Sequence, residues 1–227
     1  MPTPLLLIAA SGLVREVLSV LDTQPEFDVI GIVDDEASLH GTAVNGIGVL
    51  GGLDCIVRHP NAQLLICAGG GQARSAIRDR LDALGIADDR FATLIDSTVR
   101  VPQTCTVGPG SILLAHTVLT ADVRIGRHVV VMPNVTLTHD DQLDDYATLC
   151  AGVSLGGRVS VGEAAYLGMN SSVREHVSVG ERAVLGMGAA LLGDLPAGQT
   201  WSGVPARPHR VLTSRPFPRN FETEGAR

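Results

Sequence analysis

The chain has 227 residues and a formal net charge of −7, which argues against nucleic acid as a main partner. Its mean hydropathy is positive, yet no apolar run approaches the ~18 residues that a membrane span needs. Four cysteines, at 55, 67, 105 and 150, show no CxxC spacing and fit small core residues in a reducing, cytoplasmic setting.

Pro4 to Ala10 is an apolar opening with no basic segment before it, so a secretory leader is not expected. Leu5 to Ala9 reads as a buried strand and Ser11-Gly12 as a turn. Leu13 to Leu21 reads as a helix with its apolar face at Leu13, Val14, Val17, Leu18 and Leu21. Phe27 to Val33 is the second strand, Gln63 to Ala68 the third and Gln72 to Leu84 a second long helix, and Phe91 to Leu94 leads onward. This alternation predicts a small parallel α/β domain over residues 1–94.

Ligands of such sheets sit at the carboxyl ends of the strands, which here carry Ala10-Ser11-Gly12, Asp34-Asp35 and Gly69-Gly70-Gly71. A helix N-terminus behind a glycine turn offers free N–H groups to a phosphate, and an acid about twenty residues later can bind a ribose. Gly12 to Asp34 is 22 residues, which fits. The stretch Ala9 to Val14 lacks the full GxGxxG fingerprint, so a redox dinucleotide is not expected. The plainer reading has Gly12 serving only its turn and the Asp pair only closing a strand.

Seventeen six-residue units then run from Ile95 to Pro196, each opening on an aliphatic residue such as Val107, Leu113, Ile125, Leu137 or Leu155. Four places after the opener stands a small or β-branched residue, as at Cys105, Ser111, Thr117, Val123, Val129, Val135, Ala147 and Val153. Strict six-residue periodicity is the mark of a parallel β-helix, in which three hexads make a triangular coil and the openers stack inside it. Seventeen hexads make nearly six coils, about 27 Å tall at ~4.8 Å per coil.

Together with the ending Ser202-Gly203-Val204-Pro205-Ala206-Arg207 and the front segment, this pattern resembles the NeuD/PglD-like sugar acyltransferases over residues 4 to about 208. The resemblance implies a Rossmann-like α/β domain (1–94) followed by an all-β, left-handed parallel β-helix of hexapeptide repeats (95–196). Residues 197–227 are expected to form a C-terminal strap and tail. It further implies acetyl-CoA as co-substrate, a nucleotide-linked sugar as acceptor held at Ser11, Gly12, Asp34, Asp35 and Gly69, and a homotrimer with active sites between subunits. Met169 and Met187 match positions that line the coenzyme track. His139 matches the family's catalytic base and Asp140 the acid beside it.

Histidine suits that role, because it is neutral near pH 7 and takes a proton as a nucleophile attacks, and an adjacent carboxylate favours the imidazolium. The repeat adds an independent check. Residues eighteen apart stack on one corner, so Gly157 lies over His139, leaving room for a thioester and a free N–H for the oxyanion. The same arithmetic stacks Asp140 on Arg158, with Asp122 and His176 in the column, so Arg158 is expected to compete for the Asp140 carboxylate.

Three positions depart from the family: Leu13 and Thr148 stand where a histidine is common, and Met132 where an asparagine is common. They point to a changed acceptor. His116, His128 and His176 form no five-residue pair, so no metal is expected, and Cys150 has no histidine nearby to make it a nucleophile. Trp201 is expected to cap the open end of the prism. Three functions stay open at this point: N-acetylation of a nucleotide-linked amino sugar, O-acetylation of a sugar or sialic-acid hydroxyl, and a non-catalytic ligand-binding trimeric scaffold.

Overall fold

A computed structural model describes residues 1–209. Its front half is a five-stranded sheet in which β1 (Thr3–Ile8) lies between β2 (Phe27–Val33) and the fifth strand (Gln63–Ile66), all parallel. Beyond β2 the sheet continues through a short hairpin that the sequence did not reveal, β3 (Ala43–Val44) antiparallel to β4 (Ile47–Gly51), with β4 parallel to β2. Its brevity and its glycines at 46, 48 and 51 hide it from a period-two search. Gly31 of β2 leaves room for the Leu50 side chain of β4, which would have to shift for any Cβ there. The strand at 63–66, β5, closes the other edge.

The first helix, α1 (Gly12–Leu21), is capped by Ser11, whose hydroxyl accepts the Leu13 N–H at 3.1 Å. Strand β1 ends one residue earlier than expected because Ala9 turns to φ 80°. Alternate residues of β1 face opposite ways. Leu5 and Leu7 pack with α1, and Leu6 and Ile8 pack with the 3-10 segment Leu53–Arg58 and with Leu81 of the second helix, α2 (Gly71–Ala83).

From Leu94 the chain winds into coils of eighteen residues. Sixteen of the seventeen hexad openers lie in two-residue strands, Val101 being the exception. Each strand pairs in parallel with the one eighteen residues away, as Ile125 with Leu143 and Val131 with Leu149, giving three ladders that fit a left-handed β-helix. The openers and most fifth residues form one continuous apolar core, interrupted by the polar fifth residues Ser111, Thr117, Asp141 and Ser171. The fourth residue of each hexad from Gly110 to Gly188 has positive φ, which explains the asparagine, aspartate, histidine and glycine found there. His116, His128 and His176 are thus corner residues.

The front sheet covers one face of the prism, the ladder containing 112–113, 130–131 and 148–149 (face 1). There the outward residues Ile112 and Val130 are apolar and buried in the same cluster as Leu5, Leu7 and α1. Outward residues on the other two faces are Ser, Thr, Gln or Arg at most positions, as at Arg124, Gln142, Ser154 and Ser172, and are exposed. At the far end Thr200–Ser202 extends face 1, and Trp201 packs against the end of the core. The tail expected after Arg207 lies, from residue 210 on, outside the described residues.

Candidate functional site

His139 is the third residue of its hexad, on the corner where the chain leaves the ladder of 118–119, 136–137 and 154–155 (face 2) for that of 124–125 and 142–143 (face 3). The imidazole is exposed, and its Nδ1 lies 2.9 Å from Asp140 Oδ2. That contact first, and the Arg158 charge second, hold the Asp140 carboxyl below its ordinary range. Arg158 Nε stands 3.4 Å from the same oxygen, Oδ2, so imidazole and guanidinium share one atom rather than dividing the carboxylate between them.

Gly157 lies behind the imidazole as the eighteen-residue stacking requires. Any side chain there would collide with the His139 ring. The Gly157 N–H has no hydrogen-bond acceptor among the described residues. An imidazole with a carboxylate on one nitrogen, packed against a glycine whose main-chain N–H is free, has the parts needed to take a proton while an oxyanion is held nearby.

A second concave site lies across the prism. A cleft of about 340 Å³ opens between the start of α1, Gly69 and face 1, lined by Ser11, Gly12, Leu13, Glu16, Gly69, Val130, Met132, Thr148, Cys150 and Tyr166. All three departures from the family pattern, Leu13, Met132 and Thr148, are in its wall. Its one charged side chain is Glu16, which sequence reasoning missed because it reads as an ordinary polar helix position. The Glu16 carboxylate has no hydrogen-bond partner among the described residues, and burial pushes its pKa up. Burial also raises the Cys150 thiol, which keeps it protonated and speaks against a nucleophilic role.

Of the predicted acceptor residues, Ser11, Gly12, Leu13 and Gly69 meet in this cleft, whereas Asp34 and Asp35 do not. Asp34 accepts the Ala10 N–H at 2.7 Å and the Glu36 N–H at 2.8 Å. Asp35 accepts the Leu53 N–H at 3.1 Å and pairs with Arg80 at 2.5 Å, which lowers its pKa. Both carboxylates accept main-chain N–H groups at strand ends. Ser11 is similarly engaged, donating to the Cys67 carbonyl at 2.6 Å.

Met169 and Met187 are exposed and stack on the corner between faces 1 and 2. They are therefore on a different corner from His139 and Gly157. Within one chain the cleft, the methionines and the histidine occupy three separate places around the prism. Among the described residues no cluster of His, Cys, Asp and Glu is arranged to hold a metal ion, and no helix is long and apolar enough to cross a membrane.

No protein-family model matches the chain, and no curated protein sequence matches it significantly. Solved structures do. The acetyltransferase domain of PglB from Neisseria gonorrhoeae, solved in complex with acetyl coenzyme A, is 26% identical, covers 92% of this chain and 100% of its own, and superposes with a TM-score of 0.82. PerB from Caulobacter crescentus, solved with CoA and GDP-perosamine, is 26% identical over 91% of this chain and 97% of its own, with a TM-score of 0.83. WeeI from Acinetobacter baumannii shares the fold at 22% identity, a TM-score of 0.64, and coverage of 90% and 99%.

Proposed function

We propose that this chain, an acyltransferase of the NeuD/PglD-like hexapeptide-repeat kind, moves an acetyl group from acetyl-CoA to the amine of a nucleotide-linked amino sugar, with His139 as general base. The observation that carries the reading is the His139–Asp140 pair set over Gly157, a residue with no side chain and a free N–H. The likeness to structures solved with acetyl-CoA, or with CoA and a GDP-linked amino sugar, supports the donor and the acceptor class.

In this mechanism His139 Nε2 takes a proton from the acceptor amine as its nitrogen attacks the thioester carbon. Asp140 favours the imidazolium that forms. The Gly157 N–H steadies the tetrahedral oxyanion until the C–S bond breaks, and the imidazolium then returns its proton to the departing thiolate. No acyl-enzyme is needed.

The placement of the parts supports a homotrimer. The cleft is on face 1 and the His139 corner is opposite it. An acceptor seated in one copy's cleft, its nucleotide toward the Rossmann-like front domain, is reached by the His139 of a neighbouring copy. Coenzyme A would then run in the groove between the His139–Gly157 corner of one copy and the Met169–Met187 corner of the next. Glu16 favours an amino sugar over a sialic acid, because the cleft offers a carboxylate no cation and one like charge.

The test follows thiol release from acetyl-CoA against UDP-, dTDP- and GDP-linked amino sugars and free sialic acid, with His139→Ala beside the parent. Turnover on a nucleotide-amino sugar that drops about 10² to 10⁴-fold in the variant is the expected result. Near-parental turnover by His139→Ala removes the base assignment. Silence across the panel despite acetyl-CoA binding favours a scaffold.

A further inference from the structure

The fifth residue of each hexad points into the prism, where this chain mostly places valine or alanine, as at Val123, Val129, Val135, Ala147, Val153 and Val159. In the hexad that carries His139 the residue is Asp141, which has no exposed surface. A carboxylate buried there is costly unless it accepts hydrogen bonds. Asp141 accepts two: Oδ2 takes the Thr138 N–H at 2.8 Å and Oδ1 takes the Val159 N–H at 2.9 Å.

Both bonds replace partners that the repeat supplies elsewhere. The residue after an opener donates its N–H to the opener one coil on, as Thr120 does to Leu137, Asp144 to Val161 and Gly156 to Val173. Thr138 gives its N–H to Asp141 instead, and its hydroxyl takes over the Leu155 carbonyl at 3.1 Å. The ladder step there keeps the Thr136–Ser154 pair and lacks a Leu137–Leu155 pair, while the steps on either side keep two pairs each. Likewise, fifth residues such as Ala147, Val153 and Ala165 donate to the carbonyl three residues back, and Val159 turns to Asp141. The interruption falls between His139 and Gly157.

We infer that Asp141 is a positioning residue for acyl transfer: its carboxylate draws the Thr138 peptide off the coil ladder, ties it to Val159, and so sets the distance of the His139 imidazole from the Gly157 N–H. The inference rests on the reading of His139 as the base. Thr138 directly precedes His139, and Val159 is two residues past Gly157, so the two bonds fix the main chain on both sides of the His139–Gly157 contact. Base and oxyanion donor act on one carbon only if both reach it, and a misplacement of about 1 Å costs on the order of 10²-fold.

The arrangement also couples the corner to protons. Asp141 is flanked inside the prism by Val123 and Val159, and the charged groups facing it are His139 and Asp140 on its own corner, with Arg158 on the coil above, paired to Asp140. Burial pushes its carboxyl up to about 6. Once protonated, one oxygen carries a hydrogen and the two N–H groups compete for the other. The corner loosens as pH falls through about 6, apart from any change on the imidazole.

The test measures kcat, both KM values and thermal stability for the parent, D141V, D141N and H139A from about pH 5.5 to 8.5, bracketing that titration. D141V installs the residue of the neighbouring coils and returns the Thr138 N–H to the ladder. Its kcat is expected to fall about 10- to 100-fold while the acetyl-CoA KM and the folded structure are kept. D141N, with one acceptor oxygen, should fall between, and both should lose the Asp141 component of the profile near pH 6, leaving only the acid limb that the base supplies. Parental kcat and pH profile in D141V, beside an inactive H139A, overturns the inference and leaves the base in place. Parental turnover in H139A removes the base and the inference together. Should D141V fail to fold, the same reading is taken from D141N, where a parental kcat and inflection overturn the inference.

Discussion

Replacing Arg74 by methionine removes a side chain that fastens α2 to the prism through main-chain carbonyls. The guanidinium is fully buried. It donates from Nε to the His128 carbonyl at 2.8 Å and from Nη1 to the Ala68 and Gly69 carbonyls at 2.9 and 3.0 Å. From Nη2 it donates to the Tyr146 and Ala147 carbonyls at 2.7 and 3.1 Å and to the Thr148 hydroxyl at 2.9 Å. The carbonyls of Ala68, His128 and Tyr146 have no other donor among the described residues. Leaving three buried carbonyls unpaired costs about 1–3 kcal/mol each, hence about 3–9 kcal/mol. Against this stands the cost of burying a cation that no carboxylate pairs with among the described residues. Desolvation holds its pKa down to about 10 from 12.5, worth roughly 3 kcal/mol. The net loss on Arg74→Met is on the order of 3 kcal/mol, and Arg74→Lys should recover less than half, since an ammonium cannot span both sides of the fork. Urea unfolding at fixed protein concentration measures it. Parental stability in the methionine variant, or full rescue by lysine, would show that the fork of carbonyl contacts contributes little and that the reasoning is wrong.

Three further outcomes are expected. Asp141 has its folded pKa, about 6, above the ordinary carboxylate value of 3.8, so its contribution to stability is fully present below the unfolded value and is lost as pH rises through about 6. The parent should lose up to about 3 kcal/mol between roughly pH 4 and pH 7, and D141V should not, in urea melts at the two ends. Glu16→Gln should raise the acceptor KM about tenfold and leave the acetyl-CoA KM alone, as loss of a charged hydrogen-bond acceptor implies; an unchanged acceptor KM would place the sugar elsewhere. Arg158→Gln gives the imidazole sole use of Asp140 Oδ2, and because solvent screens so exposed a pair, plateau turnover should rise no more than about fivefold. A fall of tenfold would mean that Arg158 serves the donor.

The prism was legible because its signal is redundant. An aliphatic opener every sixth residue is enforced by fourteen buried openers and three half-buried ones, and no competing structure shares the period. Gly157 and Arg158 followed from the same arithmetic, since a ladder with an eighteen-residue register turns sequence distance into contact. The hairpin at 43–51 was not legible, being too short for a pattern and held by the fit of Leu50 against Gly31. Asp34 and Asp35 lie outside the cleft lining for a related reason. Their spacing from Gly12 suits a ribose acceptor, but spacing cannot show that the Ala10, Glu36 and Leu53 N–H groups and Arg80 have already taken their oxygens. Asp141 was present in the sequence as the one charged residue in the fifth-position series; its neighbours His139 and Asp140 drew attention away from it. Glu16 and Arg74 lie on helices whose outward and inward faces are decided by the prism, which a reading of each helix alone does not include.

His128 and His139 show what decides the use of a residue once the fold is fixed. Both are corner histidines of the same solenoid, two hexads apart. His128 is buried where the front domain meets the prism, stacked on Tyr146 at 5.4 Å and edge-on to Phe91 at 4.7 Å. Burial foremost, and then the Arg78, Arg74 and Arg127 charges, push its pKa down to about 4. It is therefore neutral throughout the working range, and its ring nitrogens have no partner among the described residues. It serves as an aromatic filler and cannot cycle a proton. His139 is on the corner that the front domain leaves open, and it has a carboxylate on one nitrogen and the bare Gly157 backbone against the other side of its ring. The covering of face 1 and the uncovering of the opposite corner are one event, because the front domain can dock on only one side of a triangular prism. The docking that builds the cleft thus keeps it away from the His139 of the same chain, and if the proposed reaction uses both, this geometry calls for a second copy of the chain.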